Sequence, residues 1–202
     1  MTRVIVAILG TILAIGIGGY LFLKTSAGGF SATTQPSALE AWTAGMARQI
    51  ATPDSAKSMQ NPVPQTEEVL AEARAHWADH CASCHANDGS GDTPMGKHMY
   101  PPAPDMRQIT TQKLSDGELF YAIQNGVRFT GMPGWGSGSD HDAEDSWKLV
   151  RFIRHLPQLT VAEEREMAAL NPKSPDELKE EQEEKEFLNG GPPDEHAQHH
   201  HH

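Results

Sequence analysis

The chain has 202 residues, of which 38% are hydrophobic and 6% aromatic. A chain of this length and composition forms one modest hydrophobic core, which argues against a large multidomain enzyme. The formal net charge of -11 argues against binding nucleic acid, because phosphate contacts need clustered cations. Only two cysteines occur, which excludes a multi-disulfide scaffold and a four-thiolate zinc or iron–sulfur site within the chain.

The first element is an apolar run near the amino terminus. Residues 4–23 carry no charge, and Arg3 and Lys24 flank them. A helix of this length crosses a hydrocarbon core of about 30 Å, and lipid leaves the backbone no other conformation that satisfies its polar groups. The sequence therefore predicts a transmembrane anchor over residues 1–24, with the rest of the chain exported. A cleaved signal peptide is the alternative, because small residues follow in Thr25-Ser26-Ala27.

Composition divides the rest of the chain into four segments. Residues 25–65 are rich in Gly, Ser, Thr, Pro and Ala and are predicted to be a linker. A short helix is expected at 39–50, with an apolar face that docks on the next domain or on the bilayer surface. Residues 66–158 hold both cysteines and are predicted to be the folded domain. An acidic helical extension over 159–188 and a flexible Gly/Pro/His tail over 189–202 are expected to follow.

Apolar periodicity and capping patterns predict three helices in the folded domain. Thr66 is a candidate N-cap for a helix that leads into Cys81. Ser115-Asp116-Gly117-Glu118 is a capping-box pattern, and the helix that it starts is expected to end at Asn125-Gly126. A third helix is expected at about 145–155, before a proline. No convincing alternating strand pattern occurs, so the predicted fold class is all-α.

The two cysteines lie in Cys81-Ala82-Ser83-Cys84-His85, the C-x-x-C-H pattern of c-type haem attachment. Two thiols one helical turn apart reach both vinyl groups of one porphyrin, and the following imidazole then points at the iron. A thioredoxin-like redox pair would lie in a βαβ pattern, which the sequence lacks. A zinc site that uses Cys81, Cys84 and His85 would need a fourth ligand, and zinc sites rarely take two adjacent residues as ligands. Covalent haem is therefore the predicted cofactor, held by Cys81, Cys84 and His85.

A haem held by one histidine needs a second axial ligand or has an open site. The candidate is Met132 in Thr130-Gly131-Met132-Pro133-Gly134-Trp135, because its Gly and Pro neighbours keep it off a helix and allow close backbone approach to a porphyrin. The alternative is that Met132 fills the core. Met95, Met99 and Met106 are reserve ligands, and His98 would give a bis-histidine site. A thioether ligand raises the haem potential relative to a second imidazole.

The order of these elements resembles a mono-haem class I cytochrome c over residues 66–156, and it is similar to haem domains on membrane anchors in bacterial respiratory chains. The resemblance implies three main helices around one covalent haem, with the first and last helices crossing. It implies that the Pro94 carbonyl accepts the N–H of the proximal imidazole. It also suggests partners for the haem propionates, each of which could equally be packing or surface: Tyr100, Arg107 and Trp135. The acidic insert at 138–145 does not match the family pattern.

These observations predict an electron carrier rather than an enzyme. A single span in the bacterial inner membrane would place the haem domain in the periplasm, where it passes one electron between respiratory-chain partners. Those partners would be a membrane respiratory complex or a terminal reductase or oxidase. Because the chain is acidic, the partner is expected to present a basic docking patch. No nucleic acid is expected to bind.

The tail leaves other functions open. A metal-handling protein would bind copper, nickel or zinc through the tail histidines and use the haem as a redox helper. These histidines are His196, His199, His200, His201 and His202, and the last four could instead be part of a purification tag. A haem-based gas sensor or an enzyme subunit is the third possibility and would need an open or labile sixth position on the iron.

Overall fold

The computed structural model describes residues 2–25 and 31–188, and within these ranges the regular structure is entirely helical. The longer helices are α1 (Thr2–Thr25), α2 (Ala38–Ala51), α3 (Glu67–His76), α4 (Asp116–Asn125), α5 (Asp140–His155), α6 (Val161–Ala168) and α7 (Pro175–Leu188). Single turns of α-helix lie at Asp54–Lys57, Ala82–His85, Pro94–Lys97 and Ile109–Gln112, a π-helical turn at Trp77–Cys81, and a 3-10 turn at Leu156–Gln158. The predicted all-α class is confirmed.

Helix α1 contains the apolar run predicted at residues 4–23. It is 24 residues long, contributes no buried side chain, and is long and apolar enough to cross a membrane. These properties fit a membrane anchor. A signal sequence near the amino terminus has the same properties, so that alternative stays open.

The core of the domain forms where α3 and its π-helical extension cross α5. Ala73 and Trp77 are buried on one side of this crossing and Phe152 on the other. The rings of Trp77 and Phe152 meet edge to face with centroids 5.3 Å apart, a favoured aromatic geometry. Helix α4 adds a second aromatic pair, because Phe120 stacks on Trp147 of α5 at 4.0 Å. The first and last helices of the domain therefore cross and pack, as the resemblance implied.

The start of the third domain helix was predicted wrongly. Helix α5 begins at Asp140, not near residue 145, so residues 140–145 of the acidic insert are already helical. The hydroxyl of Ser139 accepts a hydrogen bond from the backbone N–H of Asp142 and caps the helix. The carboxylates of Asp140 and Asp142 also lie where the helix dipole favours negative charge. The insert that did not match the family pattern is thus a capped helix start.

The last part of the predicted linker lies against the domain. Ala56 is buried. The side-chain amide of Asn61 donates to the Trp147 carbonyl at 2.9 Å. The Arg151 guanidinium donates to the carbonyl of Val63 at 2.8 Å. Helix α5 therefore binds the chain that enters the domain as well as forming its core.

The acidic extension is helical, as predicted, but its two helices differ. Met167 of α6 is fully buried. Glu163 of α6 accepts hydrogen bonds from Arg74 of α3 and from His155 of α5, the latter at 2.9 Å. Helix α7 contributes no buried residue. Helix α6 is thus part of the packed domain, whereas α7 is exposed.

Candidate functional site

The C-x-x-C-H motif lies where α3 ends in a π-helical turn and a single α-helical turn follows. The backbone N–H of Ala82 donates to the carbonyl of Trp77, which is the wider π-helical spacing. The Trp77 indole N–H donates to the carbonyl of Ala86 at 2.9 Å. Ala86 has a φ of +60°, in the left-handed region, so the chain leaves the helix directly after the motif. Trp77 therefore fixes both the start and the end of the motif.

His85 is buried at the end of the motif. Its ring lies 5.7 Å from the Trp77 ring, measured between centroids. Burial lowers the pKa of His85 to about 4, so the imidazole is neutral and can act as a metal ligand. No group in the described part of the chain hydrogen-bonds its Nδ1 atom. A buried polar atom without a partner is uncommon and indicates a group that should satisfy this side chain.

The contact expected between His85 and Pro94 is not formed in this structure. Pro94 is the first residue of the helical turn Pro94–Lys97, which the side chain of Thr93 caps. Carbonyls in a helical turn point along its axis, away from neighbours at its side. The Thr93 hydroxyl instead ties this turn to the motif by donating to the Cys84 carbonyl at 3.3 Å. The role of Pro94 as an acceptor stays a prediction.

The two cysteine side chains have different surroundings. Burial, with a smaller contribution from the neighbouring Cys84, raises the pKa of Cys81 to about 12, so Cys81 is a neutral thiol. The thiol of Cys84 donates to the Met95 sulfur at 3.3 Å. Met95 is thus placed beside the second cysteine, away from the residues that line the cavity next to His85.

An apolar cavity opens beside His85. Helical residues supply most of its lining: Trp77, Cys81 and His85 from the motif region, Ile123 from α4, and Leu149 and Ile153 from α5. Three loop residues complete it: Met106, Met132 and Trp135. The structure therefore brings the candidate axial ligands His85 and Met132 to one cavity, although 47 residues separate them in sequence.

The loop that carries Met132 is closed on itself by hydrogen bonds. Gly126 ends α4 with a φ of +70°, which favours glycine. The backbone N–H of Val127 donates to the Met132 carbonyl at 3.1 Å, and the Met132 N–H donates to the hydroxyl of Thr130 at 3.1 Å. These bonds determine where the Met132 backbone lies.

A second set of hydrogen bonds fastens this loop to two helices. The N–H groups of Trp135 and Gly136 donate to the carbonyls of Ile123 and Gln124 in α4, each at 3.0 Å. The Gln124 amide also donates to the Ser146 hydroxyl of α5 at 2.7 Å. The loop is therefore bound to the same two helices that line the cavity.

The reserve ligands are divided between the cavity and its surroundings. Met106 lines the cavity. Met99 packs over the Met132 loop, since a Cβ atom on Gly131 would lie 2.5 Å from the Met99 sulfur. His98 is exposed. Of the four reserves, Met106 is thus the one placed to compete with Met132.

The three candidates for binding propionates have different environments. Trp135 lines the cavity. The Tyr100 hydroxyl donates to Glu40 at 3.1 Å. The Arg107 guanidinium pairs with Asp105 at 2.9 Å and with Asp88 at 2.6 Å, and its hydrogen bond lowers the pKa of Asp105 to about 2. Tyr100 and Arg107 therefore already have hydrogen-bond partners, and all three propionate contacts stay predictions.

Sequence reasoning missed three residues that support the site. It assigned no role to the indole N–H of Trp77. It also gave no role to Gln124, which links the Met132 loop to α5. At Gly96, a Cβ atom would lie 2.2 Å from the Cys84 carbonyl oxygen, so only glycine fits there. The glycine-rich loop after the motif was the available signal for Gly96, whereas nothing in the sequence reveals the indole and amide hydrogen bonds.

The predicted tail metal site, at His196 and residues 199–202, lies outside the described residues. Within residues 2–25 and 31–188, no group of three or more His, Cys, Asp or Glu side chains is arranged to hold a metal ion.

A helical domain that places an attachment cysteine, a neutral buried histidine and a loop methionine around an apolar cavity, with the second cysteine in the same motif, has the architecture of a class I c-type cytochrome. The donor set suits the haem of such proteins, since thiols, imidazole and thioether are the groups that bind it. Residues 68–153 match the family model for cytochrome c oxidase, cbb3-type, subunit III. No curated protein matches the chain.

This match runs from α3 to α5 and includes the motif, and it supports a class I c-type cytochrome family for this part of the chain. A domain of this family takes a covalently bound c-type haem, for which Cys81 and Cys84 are present. Its general function is haem-based electron transfer.

Proposed function

We propose that the chain is a membrane-anchored electron carrier whose single haem takes its axial ligands from His85 and Met132. It passes one electron at a time between respiratory-chain partners on the periplasmic side of a bacterial inner membrane. The observation that carries this proposal is that both residues line the same apolar cavity as Cys81. Bound there, a haem supplies the one-electron couple of its iron.

The residues of the chain have separate roles in this proposal. Cys81 and Cys84 attach the cofactor through their sulfur atoms. Burial keeps the His85 imidazole neutral, so a ring nitrogen is available as a ligand. The hydrogen bonds of the Met132 loop hold the second ligand in one position. A fixed ligand pair needs little rearrangement when the charge of the iron changes, and the function requires no substrate chemistry.

Met132 is favoured over Met106 because of how the two backbones are held. The Met106 N–H donates to the Gly89 carbonyl at 2.8 Å, which ties it to the loop that follows His85. Met132 is instead held against α4, through the hydrogen bond of Trp135 to Ile123. Met132 is thus the methionine whose attachment is independent of the His85 loop, and it would hold the haem iron together with His85.

The axial ligand is tested by the absorption spectrum of the ferric protein matured with its haem. Methionine bound to ferric haem gives a weak far-red band. We expect this band in the wild type and in Met106→Ala, and we expect its loss in Met132→Ala. Both variants remove one cavity methionine, so Met106→Ala controls for the loss of a side chain. Persistence of the band in Met132→Ala, or its absence from the wild type, would overturn the proposed ligand pair.

The charge of the chain supports a basic partner. Its formal net charge is -11, and acidic residues occur in the first turns of α5, α6 and α7. Opposite charges accelerate the encounter of two proteins, and salt screens that effect. Electron transfer to a candidate oxidase should therefore slow as ionic strength rises. A rate that is independent of salt would contradict the basic patch without affecting the proposed haem ligands.

The periplasmic orientation rests on the amino terminus of α1. Arg3 favours a cytoplasmic start, which would place the cytochrome domain on the other side of the membrane, and Lys24 at the other end of the apolar run weakens this charge asymmetry. Protease added outside spheroplasts should therefore cleave the domain without prior lysis. Cleavage that needs lysis would place the domain in the cytoplasm and refute this orientation.

A further inference from the structure

Helix α2 carries a stripe of four exposed apolar side chains. Leu39, Trp42, Met46 and Ile50 are 69%, 60%, 41% and 76% exposed. At about 100° per residue these positions fall within an arc of roughly 80° on one face of the helix. Helix α2 also contributes no buried residue, so the cytochrome domain does not cover this stripe.

The helix is well capped, but none of its residues is buried against the described part of the chain. The Glu40 carboxylate accepts from the Ser37 N–H at 2.8 Å, and the Ser37 hydroxyl accepts from the Glu40 N–H at 3.3 Å, which together form a capping box. A cap contributes only about 1 kcal/mol, and an isolated helix of this length is marginal in water. The stripe is the surface through which a partner would stabilise α2.

The hydrogen bond between α2 and the cytochrome domain leaves the stripe free. The Tyr100 hydroxyl donates to Glu40 at 3.1 Å. On a helical projection, Glu40 lies about 120° from the middle of the stripe and Arg48 about 160° from it. The domain therefore touches the polar flank of α2, and the stripe faces another direction.

We propose that α2 lies in the interfacial layer of the membrane that α1 enters, with this stripe among the lipid headgroups and upper acyl chains. Helix α1 ends at Thr25 and α2 begins at Ala38, so twelve residues join them. Fully extended, that segment reaches about 40 Å, which keeps α2 near the bilayer surface. The inference therefore rests on α1 being a retained anchor, which is part of the proposed function.

The composition of α2 suits a bilayer better than a charged protein surface. Its only charged side chains, Glu40 and Arg48, cancel. Association is thus driven by apolar burial, and Trp42 is the residue type that prefers the headgroup level. Because Glu40 accepts from Tyr100, an interfacial α2 would hold the cytochrome domain at the membrane surface instead of on a free tether.

The test uses the haem-loaded full chain in phosphatidylcholine vesicles. The emission of Trp42 is obtained as the difference between the wild type and Trp42→Phe. We expect this emission at short wavelength. Lipids brominated on the upper part of their acyl chains should quench this emission more strongly than lipids brominated near the bilayer centre. Added salt should change neither the emission wavelength nor the quenching.

A matched pair of triple variants tests the stripe itself. Leu39→Ser, Met46→Ser and Ile50→Ser together should shift Trp42 emission to longer wavelength and abolish its quenching by bromine. The control set is on the opposite face: Ala41→Ser, Ala44→Ser and Arg48→Gln should change neither property. Equal behaviour of the two sets would overturn the proposal.

The other possible occupants give different results. Short-wavelength emission without bromine quenching would mean that protein covers the stripe. If a second copy covered the stripe, the emission wavelength would depend on the protein-to-lipid ratio. If the chain's own cytochrome domain covered it, the emission wavelength would not depend on that ratio. Either result, or long-wavelength emission in the wild type, overturns the proposal. Flotation of the variants with the vesicles reports on α1 separately, and the haem spectrum reports on the ligands, so failure of this inference is distinguishable from failure of the proposed function.

Discussion

Removing the charge of Glu163 should destabilise the domain in a manner that depends on pH. This carboxylate joins α6 to Arg74 of α3 and to His155 of α5, and its side chain is 14% exposed. Burial opposes its ionisation, but hydrogen bonds from Thr160 and His155 outweigh that effect and lower the pKa of Glu163 from 4.5 to about 2. The substitution Glu163→Gln keeps the size of the side chain and removes its charge.

The expected loss of stability follows from the pKa of Glu163. At about 1.4 kcal/mol per pKa unit, the difference between 4.5 and about 2 corresponds to about 3 kcal/mol. Water reaches part of this ion pair and screens it, so we expect Glu163→Gln to lower the free energy of unfolding by about 1–2 kcal/mol near neutral pH. Because the folded pKa is depressed, this contribution is present above pH 4.5 and is lost as the pH falls towards 2.

The assay is urea unfolding of the wild type and Glu163→Gln, followed by circular dichroism at several pH values. Taking the difference between the two proteins cancels acid effects elsewhere in the molecule. Glu166→Gln is the matched control, since Glu166 is 68% exposed and lies 3.8 Å from Arg74. It should change stability by less than about 0.5 kcal/mol. Equal losses in the two variants, or a Glu163→Gln difference that persists at pH 2, would refute the argument.

Four further substitutions and one deletion test packing and backbone geometry. Met167→Ala should lower the free energy of unfolding by about 2–4 kcal/mol, because Met167 is fully buried. Deleting residues 175–188 should leave the thermal midpoint unchanged, because α7 contributes no buried residue. Gly96→Ala should destabilise the protein, because the new Cβ atom would lie 2.2 Å from the Cys84 carbonyl oxygen. Gly45→Ala should instead stabilise α2 by about 0.5–1 kcal/mol, because a Cβ atom there meets nothing within 4 Å. Urea unfolding followed by circular dichroism checks both substitutions. Phe129 is 92% exposed and has a φ of +61°. Asn adopts this left-handed conformation at a cost about 0.5–1 kcal/mol lower than Phe does, so Phe129→Asn should raise the urea midpoint of unfolding. A lower midpoint would contradict this.

Features that depend on a few neighbouring residues were predictable from the sequence. The attachment motif needs five consecutive residues, and the start of α4 needs only the capping box from Ser115 to Glu118. The start of α5 was missed because its N-terminal turn is acidic and contains no large apolar residue to mark the periodicity. Its cap, Ser139, satisfies the same rule as the other helix caps and was the signal available.

The sequence by itself determined the all-α class, the apolar run of α1 and the chemistry at Cys81, Cys84 and His85, since periodicity and short motifs are local properties of the chain. The tertiary structure decided that Met132 shares a cavity with His85, that Trp77 hydrogen-bonds the end of the motif, and that α6 docks while α7 does not. These outcomes depend on how α3, α4 and α5 cross. Helix crossing results from burial and hydrogen bonds between residues far apart in sequence, which no local pattern records.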